Sequence, residues 1–220
     1  PDFIKYESTQ SDFSTGTLNN VQAYANGLSL TVTEYNYALG KSYTKSHNPH
    51  PSYPDTNNSM FTDGVESGTL LTDMKGFGYQ YTQLGVPNGG VGTLEITIDL
   101  GSNKTIHKCV FVSALASAIP NEYCPDIIEI LTSTDGSTFT SRGSVGTLGT
   151  VLSKTTIITF SPTVARYVKF KITKDLGVST GGGADYDWLF ASEGYVYGYI
   201  YNSSGTRISP VLDISSVKKA

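Results

Sequence analysis

Two carboxylates in this 220-residue chain, Asp63 and Glu193, sit where they could do chemistry. Each is followed directly by glycine, Gly64 and Gly194, and they lie far apart in sequence. A hard cation takes six or more oxygen ligands, and a tight glycine-containing turn aims several carbonyls at one point. Two carboxylates brought to that point from opposite ends of a domain would leave it close to neutral. The plainer alternative is an Asp-Gly turn and a surface glutamate. His47 and His50 are spaced like two zinc ligands, but Pro49 breaks any helix between them and no third His or Cys is near. There is no Gly-x-Ser-x-Gly elbow and no Walker-type phosphate loop. Hydrolysis of a glycosidic bond needs only two carboxylates, yet nothing singles out a pair among Asp55, Asp73, Glu122 and Asp126. The chain is therefore read as a binding protein and not an enzyme.

Composition narrows the partners. Net charge is −4, and no basic run is longer than Lys218-Lys219. Phosphate backbones need clustered positive charge, so nucleic acid is excluded as the main partner. The longest apolar run, Val110 to Ile119, is broken by two serines and is too short to span a bilayer. Only 15% of residues are charged, so Ser, Thr, Asn, Gly and the fifteen tyrosines must carry the surface. Cys109 reads as a small core hydrophobe and Cys124 as a loop-edge thiol; a disulfide between them is the alternative.

The elements that must position the two carboxylates are strands. Leu94, Ile96 and Ile98 share one face of a strand at 94–100, with Glu95, Thr97 and Asp99 on the other. Further strands are expected at 35–44, 106–113, 127–133, 155–160, 167–173 and 188–197. Turns are expected at 101–104 and at Asp135-Gly136. Near the start, Asn26-Gly27 between apolar runs predicts a hairpin. No useful helical periodicity exists, so the class is all-β, an antiparallel sandwich. Residues 35–198 form the main domain. Residues 1–34 and 199–220 are strand-like arms, which pair with one another as a second small β unit or act as linkers toward a further domain. The chain is expected to continue beyond Ala220.

Six segments, in order, resemble the discoidin domain, also called the coagulation factor 5/8 C-type domain, of the galactose-binding-like jelly rolls. They are Asn36-Tyr-Ala-Leu-Gly-Lys-Ser-Tyr-Thr44, Thr62-Asp-Gly64, Ile96-Thr-Ile-Asp-Leu-Gly101, Leu131-Thr-Ser-Thr-Asp-Gly136, Ala165-Arg-Tyr-Val168 and Ser192-Glu-Gly-Tyr-Val-Tyr-Gly198. The resemblance implies a jelly roll of about eight strands with ligand loops at one end. It also implies one structural calcium. Its ligands would be the carboxylates of Asp63 and Glu193 and the backbone carbonyls of Met60, Val65, Gly68 and Ser192. The chain departs from the family where many members carry a Trp after the Asp-Gly turn; here the sequence is Val65-Glu-Ser-Gly-Thr-Leu70. Its first loop is also longer and richer in proline and histidine.

The loops at the expected ligand end hold residue types that suit sugars. Sugar C–H faces stack on aromatic rings, and hydroxyls bond to polar tips. The expected contacts are His47, His50, Tyr53, Tyr79, Tyr81, Tyr123 and Tyr186. Trp188 is read as core. These residues and the resemblance point to a noncatalytic module for cell-surface or cell-wall polysaccharides or glycoconjugates, with no membrane insertion. The expected location is extracellular, on a cell surface or a virion, within a larger multidomain or oligomeric assembly. The competing reading is a structural or adhesion domain of a phage tail or surface fibre that binds protein.

Overall fold

A computed structural model describes residues 32–68, 75–113, 125–146, 155–176 and 188–201, together with the backbone of short strands at 17–19, 21–24, 27–30 and 206–208. The chain divides into two compact units, residues 35–198 and the two terminal segments 1–34 and 199–220. In the terminal unit, β1 (Thr17–Asn19) pairs antiparallel with the final strand β13 (Thr206–Ile208). There β2 (Val21–Tyr24) and β3 (Gly27–Leu30) form a hairpin, with Tyr24 opposite Gly27.

The larger unit is all-β, as the alternation requires. Its strands are β4 (Val32–Asn36), β5 (Tyr43–Lys45), β6 (Phe77–Tyr79), β7 (Val91–Val112), β8 (Ile127–Ser133), β9 (Thr140–Gly146), β10 (Thr155–Asp175), β11 (Leu189–Ala191) and β12 (Glu193–Tyr201). Among the described residues the sole helical turn is a 3-10 turn at Thr56–Asn58. No helix there is long and apolar enough to cross a membrane.

The main sheet runs β4-β12-β7-β10-β8-β9, with β5 added on β7. Strands β7 and β10 are long enough to serve two layers. The first half of β7 pairs with β5 at Ile96–Ile98, and its second half pairs with β12 at Lys108–Val112. The bend falls at Gly101, whose φ of +83° suits glycine. On β10, register shifts between Thr159 and Thr163 and between Ala165 and Tyr167 make the same corner. The expected turn at 101–104 is thus a bend within one strand, and the expected strands 155–160 and 167–173 are one strand. The expected strand 35–44 is two short strands, parted by a turn at residues 37–40. There the Asn36 side-chain carbonyl accepts the amides of Ala38 (3.0 Å) and Val196 (3.1 Å).

The core lies between the two layers. Leu94, Ile96 and Ile98 of β7, Val168, Phe170 and Ile172 of β10, and Ile128 and Ile130 of β8 are all buried. Phe61 is its hub, because this one ring meets Phe170 (5.3 Å between centroids) in the first half and Phe111 (6.1 Å) in the second. Cys109 is free and buried, and burial pushes its thiol pKa up. Cys124 lies outside the described residues.

Candidate functional site

The loop from Ser46 to Met60 is fixed from beneath before it offers anything to a ligand. The Asp55 carboxylate is buried and receives the Lys45 ammonium, which also bonds the Asn58 side-chain carbonyl. The Tyr43 hydroxyl donates to the same carboxylate (2.7 Å) and accepts from the Phe61 amide (3.0 Å). The Met60 amide donates to the other Asp55 oxygen at 3.2 Å. Burial and the neighbouring Asp55 charge raise the pKa of Tyr43, so it remains a phenol donor. Removing any one partner of such a buried, hydrogen-bonded pair strands the others.

Above that anchor the loop backbone pairs with β6. His50 donates its amide to the Gly78 carbonyl (2.7 Å), and the Gly78 amide donates to the Tyr53 carbonyl (3.0 Å). These bonds set His50 and Tyr53 over β11. Phe190 of β11 is buried, and Trp188, just before that strand, lies parallel to it. Tyr53 meets Trp188 (4.9 Å) and Phe190 (5.1 Å) nearly perpendicularly, and His50 meets Trp188 at 5.0 Å and 76°. Edge-to-face and offset-parallel pairs are the favoured aromatic geometries. Gly78 is what lets Phe190 sit there: a Cβ at Gly78 would lie 2.3 Å from the Phe190 ring. His50, Tyr53 and Trp188 are each partly exposed.

The sequence-predicted contacts therefore divide. His50 and Tyr53 are brought together with Trp188. His47 and Tyr81 are partly exposed on the flanking loops, with the His47 Nδ1 bonded to the Ser46 hydroxyl at 2.8 Å. Tyr79 is fully buried and donates its hydroxyl to the His47 carbonyl at 3.2 Å, so it is a core ring that presents no face to a ligand. Tyr123 and Tyr186 lie outside the described residues. Trp188, expected in the core, is instead partly exposed in the cluster, a place that sequence reading missed. Its signal was its position two before Phe190, which puts both rings on one side of an extended segment.

The second cluster surrounds Glu193. Phe61 holds it in place: the Gly194 amide donates to the Phe61 carbonyl at 2.8 Å, tying β12 to the segment that enters the Asp63-Gly64 turn. Gly64 has φ +81°, and the Asp63 carboxylate accepts the Val65 amide at 2.8 Å. Ser192 is buried, donating its hydroxyl to the Lys75 carbonyl (2.6 Å) and accepting the Ser67 amide (2.8 Å). Glu193 is completely buried, and neither carboxylate oxygen has a hydrogen-bond partner among the described residues. Burial pushes its pKa from an ordinary 4.5 up to about 8, and the nearby carboxylates of Asp63 and Glu66 push the same way against the Gly64 amide. Glu193 is therefore not the surface carboxylate of the plainer reading. An ionised, buried, unpaired carboxylate is costly unless a cation joins it. Among the described residues no three His, Cys, Asp or Glu side chains form a metal-binding group, so backbone carbonyls would have to supply most ligands of any cation there.

The nearly all-β architecture of curled antiparallel sheets is that of the galactose-binding-like jelly rolls. Residues 70–186 match the F5/8 type C domain, and the chain belongs to that family. Domains of this family are noncatalytic binding modules. No curated protein sequence matches the chain. Solved structures with the same fold include a histidine mutant of the lectin binding domain of lectinolysin complexed with Lewis b. It is 14% identical, covering 76% of this chain and 98% of that one, with a TM-score of 0.53. A CBM32 module from Clostridium perfringens, in complex with GalNAc-β-1,3-galactose, is 20% identical over 74% of this chain and 100% of that one, with a TM-score of 0.50. A fucose binding module of Streptococcus pneumoniae is 13% identical over 76% of this chain and 99% of that one, also at 0.50.

Proposed function

We propose that the chain is a noncatalytic glycan-binding module for extracellular, cell-surface or cell-wall polysaccharides, and that Trp188, Tyr53 and His50 form its sugar platform. The observation that carries the reading is the cluster itself: three partly exposed rings locked by a parallel Phe190 and by backbone bonds to β6. A preorganised aromatic face with polar tips suits a sugar, whose C–H face stacks while its hydroxyls bond at the rim. His47 and Tyr81, partly exposed, are the residues proposed for that rim. The sugars bound by the neighbouring structures support the same ligand class. Affinity at one shallow site is modest, so display in several copies would strengthen attachment.

We also propose that the module holds one structural calcium at Glu193. The fit is chemical: a buried carboxylate without a partner, the Asp63 carboxylate near it, and a glycine turn with carbonyls at Met60, Val65, Gly68 and Ser192. The ion would neutralise Glu193 and cross-link the Asp63 turn to β12.

The test is a glycan array with the unaltered protein and with Trp188→Ala. Binding to particular glycans that fades in the variant supports the platform. A protein that binds no glycan while capturing a fibre or surface protein would replace this reading with the adhesion one.

A further inference from the structure

The outer face of the sheet carries a recess lined by none of the platform residues. Its floor is Thr97 and Asp99 of β7 and Tyr167 of β10, with Tyr167 directly opposite Asp99 in register. One wall is the β5 edge, where Thr44 pairs with Thr97 and the Ser42 carbonyl accepts the Asp99 amide at 3.0 Å. The opposite wall is the turn between β8 and β9. Gly136 there closes over the Tyr167 ring, so that a Cβ would lie 3.1 Å from it. The recess measures about 310 Å³, at the lower end of the roughly 300 to 1,000 Å³ of small-ligand sites.

Both walls and the floor are held firmly. The Asp135 carboxylate accepts the amides of Ser137 and Thr138 (both 2.9 Å) and the Ser133 hydroxyl (2.8 Å), which fixes the turn. Arg166 donates two bonds of 2.9 Å to the two oxygens of Asp99, and its guanidinium lies 5.0 Å from the centre of the Tyr167 ring. The Gly101 amide adds a further bond to Asp99 at 2.8 Å. A carboxylate has about four acceptor sites, so Asp99 keeps capacity for one more donor.

The chemistry lining the recess is an aromatic ring, the hydroxyls of Ser42, Thr44 and Thr97, and a carboxylate whose charge Arg166 already balances. The partly exposed ring offers an apolar contact, the hydroxyls both donate and accept, and the fixed carboxylate accepts. With Asp99 balanced by Arg166 the recess carries little net charge to hold an ion, which favours an uncharged ligand, while a purely apolar one would strand the hydroxyls and the carboxylate. We propose that this recess is a second saccharide site, taking one uncharged hexose unit with its C–H face toward Tyr167 and a hydroxyl donated to Asp99. It rests on the glycan-binding reading and adds to it a second place of contact. Strand β5 leads directly into the loop that carries His50 and Tyr53, so the module would engage a branched or extended glycan at two points. Two linked weak contacts then hold more tightly than either alone.

The experiment is amide NMR titration of the full chain with six uncharged sugars: galactose, N-acetylgalactosamine, N-acetylglucosamine, glucose, mannose and fucose. The expected result is that at least one sugar shifts the amides of Thr97, Asp99 and Tyr167. That response should persist in Trp188→Ala and weaken about tenfold in Tyr167→Ala, as the loss of one aromatic contact predicts. Tyr167 is partly exposed, and Thr44→Arg, at an exposed strand position, blocks the recess without touching the core. Shifts at His50, Tyr53 and Trp188 without shifts at the sheet overturn the second site and leave the platform standing. Shifts at the sheet alone do the reverse. No shift at either place, with all six sugars, overturns both.

Discussion

Trp188 lies parallel to Phe190, with ring centroids 5.2 Å apart and planes 6° from parallel. Phe190 is buried and Trp188 is not, so the core reaches the surface through a stack of two rings. The lower ring fixes the upper one. This makes Trp188 a rigid contact, and rigid contacts lose little entropy on binding. Trp188→Ala is expected to leave the fold intact and to reduce affinity for any array-positive glycan at least tenfold. Tyr53→Ala should reduce it less, because its ring also packs on Phe190. Isothermal titration with the array-positive glycan measures both. Equal affinity in Trp188→Ala and unaltered protein would remove the platform.

Asp55 is a different kind of residue from the one its loop suggests. It faces inward, pairs with Lys45, and takes the Tyr43 hydroxyl and the Met60 amide. Asp55→Ala leaves a largely buried ammonium without its counter-charge, which costs roughly 3 kcal/mol. A denaturant titration should show that loss. Because Asp55 holds the loop under His50 and Tyr53, glycan affinity should fall with it, although Asp55 itself touches no ligand. A variant with full stability would mean that the loop is anchored elsewhere.

These two residues mark what the sequence could and could not reveal. Strand β8 was legible to the residue, because an apolar run with Glu129 between Ile128 and Ile130 leads straight into the Asp135-Gly136 turn. The bend at Gly101 was not, because a glycine between two apolar runs looks the same in a hairpin as in one strand passing from layer to layer. Only pairing with β5 on one side and β12 on the other separates the two. Tyr79 and Tyr81, two apart, were both expected as ligand contacts; but β6 ends at Tyr79, which is buried, and the next residues form a turn. Trp188 reads as core in the sequence but is partly exposed, because Phe190 beneath it takes the buried place. The Asp55 carboxylate is buried against Lys45, ten residues back on β5, and neither contact leaves a periodic trace.

Glu193 gives a pH dependence whose sign depends on calcium. In chelator the folded state holds its carboxyl proton up to about pH 8, while an unfolded glutamate releases it near 4.5. Between those values the native state binds the extra proton, so its stability falls as pH rises. That contribution is fully present below 4.5 and is lost as pH climbs through 8. Calcium favours the ionised carboxylate and should flatten or reverse the trend. The expected outcome is a calcium-dependent rise in melting temperature, larger at pH 8 than at pH 5. Glu193→Gln should abolish that rise while making the metal-free protein less sensitive to pH. Identical melting curves with calcium and with chelator at pH 8 would exclude the site.

Gly194 offers a steric test of how the Asp63 turn, the proposed calcium site, and the core are joined. A Cβ there would lie 2.3 Å from the Phe61 ring. That ring cannot step aside, because Tyr43, Phe77, Phe111 and Phe170 surround it. Gly194→Ala must therefore move backbone, and overpacking of this kind costs about 1 to 3 kcal/mol. The backbone that moves is bonded through the Gly194 amide to the Phe61 carbonyl, two residues before Asp63. Loss of stability should thus come with weaker calcium binding, although the variant removes no ligand. Gly85→Ala is the control: its φ of +68° disfavours alanine, but nothing lies within 4 Å of the new methyl. It should lose about 1 kcal/mol and keep its calcium response. If both variants lose stability alike and both keep calcium affinity, the Phe61 link does not carry strain to the turn.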